Sequence, residues 1–169
     1  YISALGCNAL WINPCFDSPF NDAGYDVRDY TRVAPRYGTN EDLETLFREA
    51  HARGMHVLLD LVPGHTSEEH PWFRESSQVG RNEFTDRYIW TDSTFEGYSM
   101  PFLVIDSERP ATYILNLFKR QPALNYGFAK RHRTSQMSPD SSAANAKRLA
   151  MVDGLAFWLA RGCIGLPVA

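Results

Sequence analysis

His56-Val-Leu-Leu-Asp-Leu-Val-Pro-Gly-His65 decides the fold. Its first seven residues are an apolar run of strand character interrupted by one carboxylate, Asp60, and Pro63-Gly64 then ends the strand just before His65. Strand side chains alternate between faces, so Leu58, Asp60 and Val62 share one side while Val57, Leu59 and Leu61 share the other. A buried carboxylate costs several kcal/mol unless hydrogen-bonded or paired, so Asp60 requires a donor nearby.

Upstream, Thr39 is placed to cap a helix, with Asp42 three residues on to complete the reciprocal pair. Leu43, Leu46, Phe47 and Ala50 recur at helical spacing, and Gly54 stops the helix. Residues 8–13, NALWIN, read as a short buried strand ended by Pro14. Strand, long loop, helix, glycine, strand is a βαβ unit, which predicts a parallel pair with a right-handed crossover. Active sites of parallel α/β folds collect at the carboxyl ends of the strands. That rim receives Asp60, His65 and the loop after the first strand, which carries GYDVRDY, residues 24–30.

Downstream of His65 the periodicity breaks down for about fifty residues, a length that marks a functional excursion or a small subdomain. Within it RYIWT and TYILNLF can pair as short strands. Ser138 and Pro139 open a second helix. Leu149, Val152, Ala156 and Leu159 are spaced for one face of it, Gly162 closes it, and CIGLPV reads as a third strand.

With 169 residues, 44% of them hydrophobic, the composition is that of an ordinary globular protein. A net charge of −3 offers no basic field for nucleic acid or anionic lipid, and no apolar run approaches bilayer length. Partners of both kinds are excluded on these grounds. Cys7, Cys15 and Cys163 lack metal-ligand spacing and read as reduced, buried thiols, which suits a cytoplasmic setting. The KRHR run at 130–133 reads as a solvated loop. A start on Tyr1 suggests a piece of a longer protein.

Pyranose rings present apolar C–H faces and equatorial hydroxyls. A flat aromatic covers the face, while carboxylates and imidazoles engage the hydroxyls; Tyr25, Asp26 and His65 provide that set. The alternative is ordinary packing plus a turn, with Asp60 capping loop amides.

ALWINP, GYDVRDY, EAHARGMHVLLDLVPGHTS, HPWF, QPALNYGF and FWLARGC stand in an order that resembles the alpha-amylase family of glycoside hydrolases. The nearest branch is that of alpha-glucosidases, oligo-1,6-glucosidases and trehalose synthases. The resemblance implies an α/β fold: part of a (β/α)8 TIM barrel, about strands 2 to 4, with a small subdomain inserted after strand 3. Residues 1–64 would supply strand 2, helix 2 and strand 3; 65–120 the insertion; 121–169 helix 3 and strand 4. The implied substrate is an alpha-glucoside or maltooligosaccharide, with no cofactor.

By the same resemblance, Asp60 and His65 match the family's Asp-x-x-x-Asn-His motif, in which the histidine bonds the sugar and the aspartate shapes the pocket. Tyr25 matches the aromatic stacked on that sugar, and Asp26 the acid that holds its hydroxyls in exo-acting members. Gly64 replaces the motif's Asn, which binds calcium in amylases, so no metal is expected there. Ala123 replaces an Asp found in many glucosidases. The fourth strand of the family reads Asp-Gly-Phe-Arg-x-Asp; here Pro167 takes the arginine place and Ala169 that of the nucleophile. The glutamate acid and second aspartate of the family would fall beyond Ala169. The implied chemistry is retaining hydrolysis or transglycosylation of alpha-glucosidic bonds, which this chain is expected not to perform. The competing reading is a non-catalytic carbohydrate-binding or scaffold relative of the same barrel.

Overall fold

Thr39 starts the one long helix of the N-terminal segment as its sequence requires. Its hydroxyl accepts from the Asp42 amide, and the Asp42 carboxylate accepts from the Thr39 amide at 2.8 Å. The helix, α1, spans Asn40–His51 and buries Leu43, Phe47 and Ala50, while Leu46 turns outward. The computed structural model describes residues 1–91, 103–104, 111–118, 120–126 and 151–165. Two compact units are formed, one from Tyr1–Pro63 with Asp153–Ala169, the other from Gly64–Val152.

In the first unit β1 (Ala9–Ile12) pairs in parallel with β4 (His56–Leu59), in register from Ala9 opposite His56 to Ile12 opposite Leu59. The far edge of β4 pairs in parallel through Leu58 with Gly165, the Leu59 amide donating to the Gly165 carbonyl. The βαβ unit is thus present, and CIGLPV begins as a strand neighbour; residues 166–169 lie outside the described residues. Val57 and Leu59 are fully buried. Against expectation β1 is not a buried strand: Leu10 and Ile12 are half-buried, while Trp11 on the other face is 61% exposed.

The loop after β1 also differs from expectation. It holds a small antiparallel pair, β2 (Phe16–Asp17) and β3 (Asp29–Val33), with a bulge between Phe16 and Asp17. The bidentate pair of Arg28 with Asp17, at 2.8 and 2.9 Å, pins the hairpin and holds the Asp17 carboxyl below its usual range.

Residues 151–159 are helical. The predicted apolar stripe is the wrong one, since Val152 and Leu159 are 50% and 47% exposed while Met151 and Trp158 are buried. Both stripes fit a helical period, and the larger side chain won the core. Trp158 stacks on Phe16 at 5.8 Å, meets the Phe47 ring edge-on at 6.4 Å, and donates its indole N–H to the Tyr30 carbonyl at 2.6 Å. The predicted cap at Ser138, Leu149 and the KRHR run lie outside the described residues.

The second unit contains what the sequence left without period. Helix α2 (Pro71–Ser76) starts on His70, whose Nδ1 accepts from the Trp72 amide. β5 (Trp90–Thr91) and β7 (Thr112–Ile114) pair antiparallel, as their sequences suggested, and β6 (Leu103–Val104) completes a three-stranded sheet in the order β5-β7-β6. Phe73 is packed among Tyr88, Trp90 and Tyr113, with ring centroids 4.8–5.8 Å away. Isolated bridges set Leu115 opposite Pro122, Ala123 opposite His65 and Leu124 opposite Tyr88.

Candidate functional site

Asp60 follows β4 directly and its amide still donates to the Ile12 carbonyl, so the backbone is locked to the sheet at this point. Alternation turns its side chain away from the face of Val57 and Leu59. The carboxylate, 3% exposed, has both oxygens occupied. Oδ1 accepts from the Trp11 indole N–H at 2.5 Å, and Oδ2 accepts from the Tyr25 hydroxyl at 3.0 Å. These two donors answer the requirement that the sequence imposed on Asp60. The phenol pays in acidity: the hydrogen bond to Asp60, then burial and the carboxylate's charge, raise the Tyr25 pKa above its ordinary value.

Trp11 was missed as a site residue because an aromatic in ALWINP reads as core. The signal that finds it is register. Trp11 lies opposite Leu58, and in a parallel pair opposed residues share a face, the one that also bears Asp60.

Tyr25 is delivered by a tight loop. Gly24 has φ +102°, and a Cβ there would stand 2.7 Å from the Pro14 carbonyl oxygen, so the chain can fold back on Pro14 only as glycine. Asp26, 1% exposed, points into the same loop. Its carboxylate accepts from the Ser18 hydroxyl at 2.8 Å and from the amides of Asn21 and Asp22 at 2.9 and 3.2 Å. Asp26 therefore ties the turn.

His65 belongs to the second unit and is 3% exposed. Its backbone is bridged to Ala123, and its Nδ1 lies 2.9 Å from Nδ2 of Asn116. Thr66 and Tyr88 beside it share a hydrogen bond of 2.7 Å, and burial drives the Tyr88 hydroxyl's pKa strongly upward. Within the first unit the structure thus joins Tyr25 to Asp60 and adds Trp11, while Asp26 is held by its own loop.

Among the described residues no group of three or more His, Cys, Asp or Glu side chains is placed to hold a metal ion. No helix among them is long and apolar enough to cross a membrane. Cys15 and Cys163 are buried as expected, whereas Cys7 is exposed.

A satisfied carboxylate at the end of a parallel strand, reached by side chains from the neighbouring strand and its loop, defines an α/β domain of the type whose chemistry gathers at strand carboxyl ends. Residues 1–166 match the model of the alpha-amylase catalytic domain. The chain belongs to the alpha-amylase family, whose catalytic domain is a (β/α)8 barrel and whose relatives matched here are glycoside hydrolases and glucosyl-transferring enzymes.

It is 36% identical to the oligo-1,6-glucosidase of Heyndrickxia coagulans over 98% of its own length and 28% of that protein's. A trehalose synthase/amylase of Mycobacterium tuberculosis is 35% identical over 98% of this chain and 26% of its own. Among solved structures, an alpha-glucosyl transfer enzyme superposes with TM-score 0.84 at 33% identity, covering 99% of this chain and 30% of that one. A mutant isomaltulose synthase of Erwinia rhapontici, solved with its natural substrate sucrose, gives TM-score 0.84 at 34% identity, over 100% of this chain and 29% of its own. The chain spans little more than a quarter of the length of the curated relatives it matches. No closed barrel is formed by the described residues.

Proposed function

We propose that this chain is the sugar-holding part of a glycoside hydrolase or transglycosylase for alpha-glucosidic bonds, with Tyr25, Asp26, Asp60 and His65 as its substrate-binding residues. In this reading β1, β4 and the segment around Gly165 stand for barrel strands two, three and four, and the residues after His65 form an insertion behind the third strand. The observation that carries the proposal is the buried Asp60 carboxylate with its two aromatic donors. A charge held this firmly at a strand's carboxyl end, beside a half-buried Tyr ring, has the chemistry of a subsite that shapes itself around a polyol.

Bond cleavage is a different matter. A retaining glycosidase needs a carboxylate nucleophile roughly 5 Å from its acid/base partner. Ala169, in the nucleophile place, can form no glycosyl ester. The chain on its own is therefore a binder without turnover.

The test is titration of the chain with methyl alpha-glucoside, maltose and an unrelated polyol, followed by isothermal calorimetry or NMR shift changes. Binding of the glucosides alone is expected. It should weaken by at least about tenfold, or about 1.4 kcal/mol, in Tyr25→Ala. p-Nitrophenyl alpha-glucoside should release no p-nitrophenol above the buffer rate. Glucoside binding that ignores Tyr25→Ala sinks the subsite assignment, and measurable turnover sinks the role given to Ala169.

A further inference from the structure

His65 is buried and its backbone is bridged to Ala123, and what its ring can offer depends on which ring nitrogen bears the proton. For a neutral imidazole that choice follows from the hydrogen bond made by the other nitrogen. At Nδ1 a partner is the Asn116 side chain, with Nδ2 2.9 Å away. Asn116 comes from the end of the β7 hairpin, where its amide donates to the Gln121 carbonyl. The 121–124 segment pairs with both its neighbours, since the Leu124 amide donates to the Gly64 carbonyl.

The residue preceding His65 is the second half of the observation. A Cβ built on Gly64 would lie 2.6 Å from Nδ2 of Asn116, so close that the amide would have to move. Gly64 does not have a positive φ, so backbone freedom does not explain the glycine. Space does. The amide of Asn116 stands where a Cβ at 64 would need room, so a side chain there would have to shift it, and from that place it addresses the imidazole.

The geometry points to Asn116 as the positioning residue of His65: its amide N–H donates to Nδ1, which keeps the ring proton on Nε2, and Gly64 is the vacancy that admits it. The ring then presents a donor, not an acceptor, at Nε2. In functional meaning this rests on the proposed glucose site, where it makes His65 a donor toward a sugar hydroxyl oxygen. Gly64 and Asn116 should therefore behave as one unit under mutation.

The experiment uses the full chain with 15N-labelled imidazoles, above the pH at which the rings titrate, with His65 assigned by its loss in His65→Gln. Long-range 1H–15N correlation reads the tautomer directly. We expect an unprotonated Nδ1 and a protonated Nε2. Asn116→Asp replaces the donor by an acceptor and should move the proton to Nδ1. Asn116→Leu should leave a mixture, and Gly64→Ala, by displacing an intact Asn116, should do the same. Should Gly64→Ala not fold, the two Asn116 variants suffice. A proton on Nδ1 in the unmodified chain, or an Asn116→Asp spectrum identical to it, overturns the inference. Methyl alpha-glucoside is added last: a shift at Nε2 supports the sugar site. No shift, with the tautomer as expected, sinks that site and leaves the role of Asn116 intact.

Discussion

Replacing Tyr25 by Phe removes one of the two hydrogen bonds on Asp60 while keeping the ring. A hydrogen bond to a charged group contributes about 1.5–3 kcal/mol net, and a neutral one about 0.5–1.5. The 3.0 Å length, the half-buried phenol and the remaining Trp11 donor argue for the lower end, so Tyr25→Phe should cost about 1.5 kcal/mol. Asp60→Asn gives the control. Trp11 can only donate, so the amide oxygen must face it and the amide nitrogen must face Tyr25, whose hydroxyl can turn round and accept. In that background the bond is neutral, and Tyr25→Phe should cost about 0.7 kcal/mol. The difference, about 0.8 kcal/mol, is the charge-dependent part of the pair and is accessible to a double-mutant cycle by urea unfolding. The same pair has a pH signature. Because the folded pKa of Tyr25 is raised, its stabilisation is complete below the unfolded tyrosine pKa and is lost as pH rises through the folded value. Wild type should therefore lose stability in alkali more steeply than Tyr25→Phe. Equal costs of Tyr25→Phe in the two backgrounds, or identical alkaline slopes, would show that the phenol and carboxylate do not interact as described.

Gly24→Ala places a Cβ against a backbone oxygen at positive φ, and a loss of more than about 2 kcal/mol is expected, with the Tyr25 pKa falling toward its ordinary value as the loop shifts. Thr39→Ala removes half of a capping box and should lower stability by about 1 kcal/mol in urea melts. With a disulfide reagent at pH 8, Cys7 should react at once. Cys15, pushed up to about 11 by burial, and Cys163, raised for the same reason, should wait for denaturant.

How far the sequence reached depends on the range over which each feature is decided. The β1–α1–β4 unit was legible because its signals are local: a capping box at Thr39 and Asp42, an apolar stripe, a glycine stop. The β2–β3 hairpin was not, since two residues with a bulge leave no alternation to read. On the helix carrying Trp158, two stripes fit one period, and only the contacts with Phe16 and Phe47 chose between them. Asp60 announced itself as a charge in an apolar run, and Tyr25 as an aromatic on the same rim. Their partnership was invisible because it joins residues far apart in the chain, and so was the pairing of His65 with Asn116. Gly64 was legible only as a departure from a motif; the reason for it is a side chain from another hairpin.

Trp158 packs on Phe16 and Phe47, with the whole of residues 64–152 between it and them in the chain. A ribosome adding about 5–20 residues per second takes about 5–20 s to cross that interval. Throughout it Phe16 and Phe47 are already made and the indole that packs on them is not, so their mutual contact with Trp158 has to wait for that interval to pass. Completion of this packing is timed by translation of the helix that carries Trp158.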